Sequence, residues 1–229
     1  MTQKLTGISS MATRLLLQEL FDEYQRKTDV VVAIESVGGI DAAKRVQAGE
    51  PFDIVVLASD AIDKLAGSGR VMAGSKVDVA LSGVAIAVRA GASRPAIDSE
   101  DALKQTVRSA RTVGYSTGPS GVALQKLFER WGIADEIKAR IVQAHPGIPV
   151  GSMVADGSVE LGFQQLSELL HVDGIDVLGA LPDAVRITTT FSAGVCSASP
   201  HPDDARRLLG FISSPETGDA KRRQGMQPA

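Results

Sequence analysis

Phe52-Asp53-Ile54-Val55-Val56-Leu57-Ala58-Ser59-Asp60 is the stretch that decides the architecture. A continuous apolar run is the mark of a strand covered on both faces, as parallel strands are. Ala58-Ser59-Asp60 then puts a hydroxyl where the strand ends and a helix begins. The same order of events comes twice before it. Residues 4–9 read as a strand that stops at Ser9-Ser10, before a helix with apolar residues at Leu16, Leu17, Leu20, Phe21 and Tyr24. Residues 30–34 are a β-branched strand, followed by Glu35-Ser36-Val37-Gly38-Gly39 and a helix through Ala43 and Val46. Three strand–helix units in succession predict an α/β sheet.

Working outward, the rhythm changes near Ser82, where residues 83–89 read as a long strand leading into the loop Ala90-Gly91-Ala92-Ser93-Arg94-Pro95. A helix is predicted from Asp98-Ser99-Glu100 and a strand over 112–115. Ser116-Thr117-Gly118-Pro119-Ser120-Gly121 then enters a helix through Leu124, Leu127, Phe128 and Trp131. Strands are predicted over 141–144 and 160–164, with Gly147-Ile148-Pro149-Val150-Gly151-Ser152 entering a helix and Ser167 opening a short one. Residues 185–195 return an extended chain, and Pro202-Asp203-Asp204 starts a last helix. The expected organisation is two lobes joined by two crossing strands, residues 1–83 with 191–229 and residues 84–190.

The 229 residues are 44% hydrophobic and 22% charged, enough apolar side chain for a sizeable core and too much for disorder. Lys and Arg number 24 against 27 Asp and Glu, so the net charge of −3 offers no general attraction to nucleic acid or anionic lipid. Aromatic residues are 4%, too few for a base-stacking platform. Cys196 is alone, which excludes an intrachain disulfide, and the three His stand too far apart for a local metal motif. No metal and no cofactor are expected. No apolar run reaches the ~20 residues of a membrane span. Met1-Thr2-Gln3 opens without an apolar leader, so the expected location is periplasmic if a signal was removed and cytoplasmic otherwise.

Small hydroxyl or glycine residues recur at the C-terminal ends of strands: Ser9, Ser10, Ser36, Gly38, Gly39, Ser59, Ser116, Thr117, Ser120, Gly121, Val150 and Gly151 in context. That edge of an open α/β sheet is where ligands bind, and helix starts there offer N–H groups without partners. Any single Ser is explained by helix capping alone. Their recurrence in both halves points to a small anion held without Lys or Arg.

Ile8-Ser9-Ser10-Met11-Ala12, Ala48-Gly49-Glu50-Pro51-Phe52-Asp53-Ile54-Val55-Val56, Val159-Glu160-Leu161-Gly162-Phe163 and Gly225-Met226-Gln227-Pro228 together resemble the type II periplasmic solute-binding proteins, in particular the molybdate-binding branch. The resemblance runs over almost the whole chain. It implies two α/β lobes, each a mostly parallel sheet flanked by helices, with the ligand in the cleft between them. It also implies a site hydroxyl at Ser10, backbone donors near Ser120-Gly121 and Val150, and an ABC permease as partner. Where molybdate binders carry a hydroxyl after the second strand this chain has Gly38-Gly39, and where they carry a tyrosine it has Gln165 beside Gln164. Amide side chains donate and accept, which favours a small organic carboxylate over a bare oxyanion.

The same branch includes aconitate-isomerase-like members, so isomerisation of a small tricarboxylate is the alternative to a transport receptor. That reaction needs a base for an allylic proton, with Glu35, His145 or His171 as candidates, and cations for the carboxylates, with Arg14 and Lys44. A third reading is a serine hydrolase. Gly114-Tyr115-Ser116-Thr117-Gly118 satisfies G-x-S-x-G, with Asp183 and His201 following, although Pro119 delays the helix beyond Ser116.

Overall fold

A computed structural model of the chain describes residues 3–145 and 147–229. Met1, Thr2 and Pro146 lie outside the described residues, and with them the reading of the chain start and the middle of the His145-Pro146-Gly147 loop. The chain forms two compact units, one from the start to Ser82 and from Thr190 to the end, the other over 83–189.

Unit 1 begins with β1 (Gln3–Ser10), α1 (Arg14–Lys27), β2 (Val30–Val37), α2 (Gly39–Gln47), β3 (Ile54–Ala58) and α3 (Ser59–Gly67), and then takes the first half of β4 (Val77–Arg89). Unit 2 holds the second half of β4, then α4 (Glu100–Ser109), β5 (Val113–Tyr115), α5 (Pro119–Arg130), α6 (Ala134–Ile137), β6 (Ile141–Gln143) and α7 (Val150–Ala155). It continues with β7 (Leu161–Gln165), α8 (Leu166–Leu169), β8 (Ile175–Ala180) and the start of β9 (Thr188–Val195). The rest of β9 returns to unit 1, which closes with α9 (Pro202–Ser213), α10 (Gly218–Arg223) and β10 (Met226–Pro228).

In unit 1, β1 pairs in parallel with β2 on one side and β3 on the other, and β9 runs antiparallel to β3. All five residues of β3 are buried, as its unbroken apolar run requires. Two apolar layers cover the sheet. One packs Leu16, Leu17, Leu20 and Phe21 of α1 with Leu208, Leu209 and Ile212 of α9, and the other packs Val46 of α2 and Ile62 of α3 against Val55 and Leu57. Gly7 keeps β1 and β3 together, because a Cβ there would stand 2.7 Å from Ile54 Cγ1. The buried Asp53 pins three segments, accepting from Thr6 N at 2.7 Å, Thr6 Oγ1 at 3.1 Å and Ser199 Oγ at 2.6 Å. Nearby Cys196 is buried, and burial first, then the Asp53 charge, pushes its thiol up to about 12.

In unit 2, β5 pairs in parallel with β6 and β7, while β4 runs antiparallel to β7 and β8. The apolar spacing of α5 delivers Leu124, Leu127 and Phe128 to a core with Tyr115, Trp131 and Phe163. Phe128 is its centre, with ring centroids 6.0–6.2 Å from those of Tyr115, Trp131 and Phe163. The opposite face packs Val150 and Val154 of α7 with Leu169 of α8. Among the described residues no helix is long and apolar enough to cross a membrane.

Two strands escape the periodicity reading, β8 and β10. The residues of β8 are half-buried or exposed and include Gly179 at φ 143°, and β10 is three residues long, so neither shows a sustained apolar alternation. Their pairing with β4 is what orders them. The long strand expected from residue 83 begins earlier, at Val77.

Two glycines give opposite expectations. At Gly121 a Cβ would sit 1.8 Å from the Ser116 carbonyl oxygen, so Gly121→Ala should force the 116–121 turn apart and destabilise by at least about 1–3 kcal/mol. Gly210 is exposed within α9 with nothing within 4 Å of a Cβ, so Gly210→Ala should stabilise by about 1 kcal/mol. Urea unfolding of both variants checks the pair of signs.

Candidate functional site

The parallel strands end at Ser10, Val37 and Ala58 in unit 1 and at Tyr115, Gln143 and Gln165 in unit 2. The helices α2, α3 and α5 start at these ends with Gly38, Ala58 and Gly118 in the capping position, and none receives a side-chain cap. By contrast α4, which follows β4 and so starts at the opposite edge of the unit 2 sheet, is capped by the Ser99 hydroxyl accepting from Ala102 N at 3.2 Å. The uncapped starts leave first-turn N–H groups without an intrahelical acceptor. Asp41 and Asp60 in the first turns of α2 and α3 offset part of the dipole there, whereas the first turn of α5 holds no acid.

In unit 1, Ser10 is half-buried and its Oγ accepts from Ala12 N at 3.4 Å, capping a short 3₁₀ turn over Met11–Thr13. Gly39 lies against it, since a Cβ there would be 3.7 Å from Ser10 Oγ. Ser9 is fully buried, and its Oγ lies 2.8 Å from Ser36 Oγ. These two hydroxyls therefore satisfy one another. Ser59 stands half-buried as the first residue of α3, not as its cap.

In unit 2, Ser116, Thr117 and Gly118 are half-buried and lead into the buried Ser120 and Gly121, with the Ser116 and Ser120 hydroxyls 3.5 Å apart. The absence of room for a Cβ at Gly121 holds the Ser116 carbonyl over the first turn of α5. Val150 and Gly151, both buried, begin α7.

The two glutamines are engaged in ways that spacing does not reveal. Gln164 is buried, accepts on Oε1 from Gly151 N at 3.2 Å and donates from Nε2 to Glu168 Oε1 at 2.8 Å. Gln165 is buried and donates from Nε2 to Thr189 Oγ1 at 2.8 Å. Its Oε1 has no hydrogen-bond partner, and neither has the buried Oγ of Ser167. Glu168 is half-buried, and burial, opposed by the Gln164 hydrogen bond, raises its carboxyl to about 7. Glu168, Ser167 and Thr189 were not among the residues expected from sequence. The usable signal was an acid three residues beyond a paired amide at a strand end.

Glu35 and Ser116 lack the surroundings that their expected roles need. Glu35 is exposed on β2 and bound by both guanidinium nitrogens of Arg45, at 2.7 and 2.9 Å, while Arg45 also holds Glu50. The Arg45 hydrogen bonds keep the Glu35 carboxyl below its usual range, which weakens it as a base. Ser116 has no nucleophile geometry, because α5 begins at Pro119 and Asp183 is exposed in an ion pair with Arg186. His145 lies exposed after β6, and His171 is exposed after α8. Arg14 and Lys44 are exposed on α1 and α2.

The sequence profile described as bacterial extracellular solute-binding protein matches residues 5–227. The chain is 40% identical to an aconitate isomerase of a Pseudomonas species, over 98% of this chain and 87% of that one. It is 22% identical to the molybdate-binding protein ModA of Azotobacter vinelandii, over 91% of this chain and 84% of the relative. The solved periplasmic molybdate-binding protein of Azotobacter vinelandii superposes with a TM-score of 0.80 at 19% identity, covering 97% of this chain and 98% of that one.

The raised Glu168 carboxyl carries a stability signature. Its folded value lies above the unfolded one, so the folded state holds the extra proton, and the associated stability is full at low pH and lost as pH rises from about 4.5 to about 7. Glu168→Gln removes this loss. The melting temperature of the variant relative to wild type should therefore climb across that window and level off above it, measured at half-unit pH steps.

Proposed function

The chain belongs to the bacterial extracellular solute-binding proteins of type II periplasmic architecture, and from that premise we propose that it binds a small unsaturated tricarboxylate and shifts its double bond, as an isomerase of the aconitate type. The observation that carries the choice of ligand is the unpartnered, buried Oε1 of Gln165. A buried acceptor without a donor costs about 1–3 kcal/mol, so it calls for a ligand that brings a hydrogen of its own. Aconitate supplies one where one of its carboxyls is protonated, whereas a fully ionised tetrahedral oxyanion supplies none. The 40% identity to an aconitate isomerase, almost twice the identity to the molybdate-binding relative, supports the same choice.

The chemistry asks little of such a site beyond placement. In unit 2 the Ser120 hydroxyl and the uncapped start of α5 offer donors to a carboxylate, which stabilise the charge that spreads onto it when the allylic proton leaves. Binding without fixed cations suits a ligand that must be released as product, because each donor contributes modestly.

Family membership favours a second reading, a receptor that captures a carboxylate outside the cytoplasmic membrane and passes it unchanged to an ABC permease. One experiment separates the two. Thermal shifts should rise with cis- or trans-aconitate and not with molybdate, tungstate, sulfate or phosphate, since a ligand bound by the folded state alone stabilises in proportion to saturation. Proton NMR of either aconitate isomer with catalytic amounts of protein should show interconversion. A shift without interconversion would establish the receptor, and a shift with molybdate alone would overturn both carboxylate readings.

A further inference from the structure

We propose that Glu168 is the acid–base residue of this site, taking the allylic proton from the bound tricarboxylate and returning it to the far end of the same three-carbon unit, with Gln164 as its positioning residue. The proposal rests on the isomerase reading.

Glu168 follows the end of β7 by three residues, and its carboxylate is tied to Gln164, whose carbonyl is tied to Gly151 N at the start of α7. One amide thus fixes the carboxylate against three elements, β7, α7 and α8, at the sheet edge where the parallel strands end. Glu168 keeps part of its surface exposed, although its carboxyl is buried deeply enough to titrate high. The two unpartnered buried groups Gln165 Oε1 and Ser167 Oγ are its close neighbours in sequence. Native folds seldom leave such atoms unpaired, and these two, unlike Ser82 Oγ and Ser214 Oγ, belong to the segment that leaves the end of β7.

Glu168 differs from the unit 2 carboxylates that are held in ion pairs. Glu100 pairs with Arg130, Glu136 with Arg108, Glu160 with Arg111 and Asp183 with Arg186. The partner of Glu168 is a neutral amide. β7 and α7, which pack on α8, carry no titratable side chain; Leu169 of α8 also shares an apolar cluster with Ala85 and Ala87 of β4 and with Ile175 and Val177 of β8, strands that carry Arg89 and Asp176, and His171 stands three residues further along the chain. Burial therefore sets the protonation of Glu168, which it raises to about 7, where a carboxylate can both accept and donate a proton.

The step balances without a co-reactant. A methylene C–H bond of the tricarboxylate breaks, its proton forms an O–H bond on Glu168, and the electron pair spreads over three carbons into the adjoining carboxylate. The O–H bond then breaks and a C–H bond forms at the former vinyl carbon. The double bond has moved by one position and Glu168 is again a carboxylate.

The test is the kinetics of wild type, Glu168→Gln and Glu168→Asp with aconitate between about pH 5 and pH 9, alongside the thermal shift that aconitate gives each. Glu168→Gln keeps the size of the side chain and an acceptor for Gln164. Its kcat should fall by about 10²–10⁴-fold while its aconitate thermal shift persists. Wild-type kcat should rise with pH through about 7, and that limb should vanish from any residual activity of Glu168→Gln. Turnover by Glu168→Gln within threefold of wild type overturns the proposal and leaves the isomerase reading standing. Loss of the thermal shift together with turnover assigns Glu168 to binding and likewise overturns it. Failure of the wild type to interconvert aconitate overturns the isomerase reading itself, and the proposal with it.

Discussion

A parallel strand pair cannot be closed by a tight turn, so the chain must travel back over the sheet, here through a helix, before the next strand begins. This constraint organises both units. With β1 beside both β2 and β3, and β5 beside both β6 and β7, the starts of α2, α3, α5 and α7 fall at the C-terminal edge of their own sheet. Each start carries backbone donors that need acceptors. The sequence declines to supply them from side chains at Gly38, Ala58 and Gly118, although it does so with Ser99 at the other edge.

The second consequence concerns side-chain identity. Among the described residues the hydroxyls at this edge divide into two kinds. Ser9 and Ser36 are spent on one another, while Ser10, Ser59 and Thr117 remain half-buried. Likewise the amide of Gln164 is spent holding Glu168 and Gly151, whereas Gln165 keeps an acceptor unpaired. Residues that look equivalent as a string are thus sorted by the pleat. Adjacent positions on β7 face opposite layers, Phe163 toward the aromatic core around Phe128 and Gln164 toward α7.

The α/β class and the order of the principal units were legible, because the β3 segment is apolar at every position and hydroxyl or glycine residues punctuate each strand end. The edge strands β8 and β10 were not, since partial burial leaves no period to read and their order comes from β4, far away in sequence. Among functional candidates the misreadings share one cause. Pairing of Glu35 with Arg45 could be weighed from sequence but not decided, and Glu168 was not singled out because its environment is assembled from three elements. Titration behaviour depends on burial and partners, neither of which is a local property of the chain.

The buried sulfur of Cys196 has an effect on how the protein survives its surroundings. With its thiol pushed up to about 12, only on the order of 10⁻⁵ of it is ionised at neutrality, and the thiolate is the form that attacks oxidants and disulfides. The exchange chemistry that links partly folded chains into covalent aggregates is therefore closed to the folded molecule.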